Sequence, residues 1–114
     1  MRTSALAIVV VVLMLAACGL QQGSRPVGVD ESAPPAIASA CELAGRRCSR
    51  CHAIERVERS RLSSATQWRA QVRRMRLMPS SGIPPEEELP IVQCLVFRTA
   101  GQAGLDALMW TVSP

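Results

Sequence analysis

A shortage of aromatic side chains constrains this chain more than any other feature: two Trp, one Phe and no Tyr serve 114 residues. Aromatic rings supply much of the apolar area in a small core. A domain of this size with so thin a core leans on a metal, a cofactor or disulfides. The length allows about one small domain, less once the N-terminal stretch is considered.

That stretch reads as a leader. Arg2 gives a short positive start, Ala5 to Ala17 is an almost unbroken apolar run, and Leu15-Ala16-Ala17-Cys18 closes it with small residues before a cysteine. The pattern resembles a bacterial lipobox, which implies a lipoprotein signal peptide over residues 1–17, cleavage before Cys18 and acylation of Cys18. The competing reading is a membrane-spanning helix, but Thr3 to Cys18 is short against the roughly 20 apolar residues a hydrocarbon core requires. The chain is therefore expected to be exported and lipid-anchored to a bacterial membrane, facing the periplasm. Gly, Gln, Ser and Pro dominate Gly19 to Pro34, so residues 18–35 are expected to be a lipidated N-terminus and a flexible tether.

Charge excludes less than it first suggests. All 13 basic residues are Arg, Lys and Asn are absent, and the formal net charge of +4 falls to +3 when Arg2 leaves with the leader. No pattern of interleaved basic and aromatic residues accompanies the arginines, so nucleic acid is not an expected partner.

The five cysteines divide by role. Cys18 is set aside for lipid; Cys48 and Cys51 form a close pair; Cys41 and Cys94 remain. The pair sits in Cys48-Ser49-Arg50-Cys51-His52, the spacing of covalent c-type haem attachment. Two thiols three residues apart can add to the two vinyl groups of one haem, and a histidine directly after the second is then held as an axial ligand. One covalent haem c would also supply the missing apolar bulk. Two alternatives use the same residues. A thioredoxin-like C-x-x-C needs a βαβ setting, and nothing here alternates strands with helices. A zinc site from Cys41, Cys48, Cys51 and His52 lacks the second spaced ligand pair such sites usually show.

Composition narrows the second axial ligand. His52 is the only histidine, and with Lys, Tyr and Asn absent the candidates are methionines or an open position. Met75, Met78 and Met109 remain after the leader is removed. Ser64 and Gln67 form a capping-box pattern, and Trp68, Val72 and Met75 then share the inward face of the following helix. Met78 stands at the end of that helix, where Pro79 stops it and fixes a loop. Spacing alone does not separate Met75 from Met78.

With these residues in view, the chain resembles the small monohaem cytochromes c. The likeness is carried by Cys48 to Arg56, by Trp68 with Val72 and Met75, and by Ile83, Glu86 to Glu88 and Ile91-Val92-Gln93-Cys94-Leu95. It covers about residues 36–98 and is nearest to the cytochrome subunits or domains that accompany periplasmic dehydrogenases, including sulfite and quinohaemoprotein amine dehydrogenases. The resemblance implies an all-α cytochrome c fold of three to four helices around one covalent haem, with Met75 as distal ligand. It implies an electron carrier rather than an enzyme, either free or as an oxidoreductase subunit, with a periplasmic redox protein as donor or acceptor. A haem protein with an open sixth position, acting as gas sensor or enzyme, is the alternative. Two residues depart from the family pattern: Cys94 stands where an aromatic residue is usual, and Pro90 falls inside the expected last helix, where it fits without loss only in the first turn.

Ile37, Cys41, Ala44 and Cys48 recur at helical spacing, so a helix precedes the haem motif; Leu89, Val92 and Leu95 or Val96 give the last helix its apolar stripe. Cytochromes c pack their first helix against their last. The resemblance thus implies that Cys41 and Cys94 meet in a disulfide, the alternative being two buried free thiols. Arg69, Arg73, Arg74 and Arg76 are expected as haem-propionate partners, a docking rim or a solvated helix face. The tail, residues 99–114, is expected to place a short helix with Leu105, Leu108, Met109 and Trp110 over the haem edge or against a partner.

Overall fold

A computed structural model of the chain describes residues 24–112. The leader and Cys18 lie outside the described residues. Among the described residues four helices follow one another: α1, Pro35–Cys48; α2, Ile54–Glu58; α3, Ala65–Arg76; and α4, Pro85–Val112. No strand occurs among the described residues, so the architecture is all-α, as expected.

Local chemistry sets the helix ends. Pro35 opens α1 at a position where a missing N–H costs nothing, and Arg46 and Arg47 in its last turn complement the helix dipole. The capping box of α3 forms: the Gln67 amide donates to Ser64 Oγ (3.2 Å), and Gln67 Oε1 accepts from the Ser64 amide (3.2 Å). Glu86, Glu87 and Glu88 fill the first turn of α4, the favourable end for negative charge.

Pro90 is not in that first turn. It lies in the second turn of α4, and the helix runs through it without the bond its N–H would have made. Backbone irregularity falls instead at Gly101 (φ 60°, ψ −154°), a conformation glycine adopts without steric cost. The last arm of α4 therefore leaves at an angle.

α4 is the central element, with α1 and α3 packed on it; α2 packs on α1. Ile91, Val92, Leu95 and Val96 are buried on α4 against Ile37, Cys41 and Ala44 of α1 and Trp68 and Val72 of α3. Cys41 and Cys94 are disulfide-bonded across the α1–α4 contact, with Cα atoms 5.1 Å apart. The acidic turn of α4 also clamps both neighbours: Glu87 accepts from Arg47 of α1, and Glu88 from Arg76 of α3. The Trp68 indole N–H is satisfied by Thr99 Oγ1 at 3.1 Å.

Two expectations are corrected. First, residues 25–34 do not hang free as a tether; they lie as a strap along the domain. Val27 is 1 % exposed and its amide donates to the Cys41 carbonyl at 3.1 Å. Burying that side chain contributes about 1.5–3 kcal/mol. Arg25 is held by Glu55 (2.7 Å) and Glu58 (2.7 Å), Gly28 N–H donates to Glu58 Oε1 (2.9 Å), and Arg98 of α4 donates to the carbonyls of Gly28 and Glu58 (3.1 Å each). The strap backbone rests on α1 at Gly45, where a Cβ would meet the Arg25 carbonyl oxygen at 2.0 Å.

Second, residues 102–112 form the short helix expected of the tail, but not as an element standing apart from α4. They continue α4 beyond Gly101, bury Leu105 and Leu108, and meet α3 where Arg69 donates to Thr111 Oγ1 at 3.1 Å. Met109 and Trp110 stay exposed.

Candidate functional site

An apolar cleft of about 260 Å³ opens between the Cys48–His52 turn with α2 on one side and α3 on the other. α4 supplies its floor through Ile91 and Leu95. Cys48 is the last residue of α1, so the helix end delivers its thiol to the cleft. The turn that follows is braced by Ser49, whose hydroxyl donates back to the Gly45 carbonyl at 2.6 Å. His52 then borders the cleft, and Ala53 enters α2 in an extended conformation.

The imidazole is oriented by its own chain. His52 Nδ1 lies 3.2 Å from the Ala53 carbonyl oxygen. A proton on Nδ1 donated to that oxygen leaves the Nε2 lone pair free, the arrangement a histidine needs to ligate a metal. Across the cleft, α3 presents Trp68, Val72 and Met75 at i, i+4 and i+7. One wall thus offers an imidazole and a thiol, the facing wall a thioether, with apolar side chains between.

Several candidates separate at this point. Met75 lines the cleft; Met78 does not and is 55 % exposed. Met109, on the last arm of α4, is also exposed and outside it. Cys48 faces the cleft, whereas Cys51 is exposed and opens into a neighbouring hollow with Arg25, Arg50 and Glu55; His52 borders both spaces. None of Arg69, Arg73, Arg74 and Arg76 lines the cleft: Arg76 is paired with Glu88, Arg69 serves Thr111, and Arg73 and Arg74 face solvent. The arginine on the cleft wall is Arg56, which had been given no role in the sequence although it stands on helix α2, four residues after His52. No described residue of the tail lines the cleft either.

Two contacts were not foreseen. The Arg50 guanidinium packs so close to Gly82 that a Cβ there would lie 1.8 Å from it, and Gly82 also has φ +64°. The two rims of the cleft, the Cys48–His52 turn and the loop after α3, therefore meet at Gly82, whose left-handed φ favours glycine. The strap was the other; its only hint was Val27 and Val29 alternating within an otherwise small and polar stretch.

The thiol chemistry is informative. Burial pushes the Cys48 thiol up to about 11, so it is protonated at neutral pH. Thiol–disulfide exchange proceeds through the thiolate, and reactive cysteines are made so by a lowered value. For a zinc centre, Cys41 is consumed by its bond to Cys94, and among the described residues no group of three or more His, Cys, Asp or Glu converges.

Comparison with protein-family models, curated proteins and solved structures found no match to this chain.

Proposed function

We propose that this chain is an exported, lipid-anchored monohaem cytochrome c that passes single electrons between periplasmic redox partners. Cys48 and Cys51 would carry the thioether attachments, His52 the proximal position, Met75 the distal one, and Cys18 the lipid. One observation carries the reading: His52, whose Nδ1 lies 3.2 Å from the Ala53 carbonyl oxygen, and the Met75 thioether line a common apolar cleft that Cys48 also borders. The donor set fits a covalently bound haem, and the apolar lining fits a macrocycle. Cys51 opens to the adjacent hollow, so attachment requires its side chain to turn towards the cleft.

Bound haem supplies a one-electron Fe(III)/Fe(II) couple, and a thioether opposite histidine favours the reduced state. The residues of the chain hold and tune it. A hydrogen bond from Nδ1 to the Ala53 carbonyl would leave Nε2 of His52 as the ligating atom; Trp68, Val72, Ile91 and Leu95 give the site its apolar lining; Arg56 places a positive charge on its wall. No side chain is required to act as acid, base or nucleophile, which suits a carrier.

An optical spectrum of the matured protein tests this. The account expects haem c bands, a methionine-to-iron charge-transfer band in the oxidised form, and no carbon monoxide binding on reduction. Ready carbon monoxide binding would instead indicate an open sixth position, and absence of haem bands would return the Cys pair to thiol or zinc chemistry.

A further inference from the structure

We infer that the strap fixes which face of the domain the membrane meets: the hollow beside the Cys48–His52 turn is held towards the lipid surface. This rests on the proposed acylation of Cys18. The argument is one of reach. A tether running from Cys18 to the start of α1 at Pro35 would span up to about 60 Å. Because the chain is already fixed to the domain at Arg25, only seven peptide steps remain, at most about 25 Å.

A compact body of about 90 residues has a radius near 15 Å, so a tether leaving the pole farthest from the lipid needs about 40 Å to pass the equator and reach the membrane plane. The longer tether would let the domain turn over, but the shorter one cannot reach around it. The attachment point therefore decides the orientation. Arg25 sits on Gly45 in the last turn of α1, is gripped by Glu55 and Glu58 of α2, and lines the hollow that also contains Arg50 and Cys51. That side must stay near the anchor. The solvent face of α3 lies across the cleft from α2 and does not carry the tether, so it is the side we assign to a soluble redox partner.

The test uses the full-length, lipidated, haem-loaded protein on phosphatidylethanolamine–phosphatidylglycerol vesicles. Single-thiol variants carry a fluorophore at Arg46→Cys, beside the strap, or Ala70→Cys, on the exposed side of α3. Each is compared on vesicles with and without a headgroup quencher. Quenching is expected to be several-fold stronger at position 46 than at 70. A twelve-residue Gly/Ser insertion after Gly23, which leaves the strap intact, is expected to bring the two positions to near equality. Equal quenching in the native-length lipidated protein would overturn the orientation, and a contrast that survives the insertion would overturn the role of reach. A mass without lipid, together with failure to bind vesicles, would refute the anchor itself, an outcome distinct from either.

Discussion

The choice between Met75 and Met78 turns on three residues of chain. Met75 is the last position of the Trp68–Val72 face to look into the cleft, whereas Met78, past the end of α3, is turned to solvent. Replacing Met75 with Ala is expected to abolish the methionine-to-iron charge-transfer band and lower the reduction potential. Met78→Ala is expected to change neither. Loss of the band in the second variant alone would exchange the assignments. Helical periodicity put Met75 on the inward face, but it could not say whether that face continued into core or opened on a cavity. That depends on how far α2 stands from α3, which no local pattern encodes.

Among the elements, the strap has the most direct energetic consequences. Glu58 accepts from Arg25 and from the Gly28 amide, and these bonds hold its carboxyl down at about 2, well below its usual 4.5. The folded state therefore binds this proton less readily than the unfolded chain. The stabilisation is present in full above about pH 4.5 and fades as pH falls towards 2. Glu58→Gln is expected to cost about 1 kcal/mol at pH 7, since the pair is partly solvated, and the gap from the parent should close in acid unfolding series near pH 2. Gly45→Ala probes the same element from below: its Cβ collides with strap backbone rather than with a flexible side chain. A loss of about 1–3 kcal/mol is expected in denaturant titrations. Capping and apolar periodicity made α1 and α3 legible in advance, because both signals are local. The strap was not legible, because it forms no helix or strand; it is ordered by a single buried valine, a charge pair thirty residues away and a backbone contact that only a glycine permits.

At the scale of the molecule, the Cys41–Cys94 bond ties the first helix to the last across a separation of 53 residues. Closing a loop of that length restricts the unfolded chain, and Cys41→Ala with Cys94→Ala is expected to lower stability by about 2–4 kcal/mol while leaving the helices in place by circular dichroism. No change in the unfolding midpoint would show that packing on α4 already does this work. The individual helices were legible from periodicity and the all-α class was implied by the resemblance, while Cys48, Cys51 and His52 were singled out by a five-residue motif and the lack of other histidines. The bend at Gly101 and the course of the last arm along α3 were not legible, since both are set by contacts between distant residues.

The central claim is that one haem is bonded to this chain through Cys48 and Cys51. The most direct measurement is the intact mass of the mature protein from a host that assembles c-type cytochromes, taken after denaturation and acid extraction, beside its visible colour. The account predicts polypeptide plus lipid plus one haem, with the colour remaining on the protein. A colourless chain whose mass is polypeptide and lipid alone would contradict it.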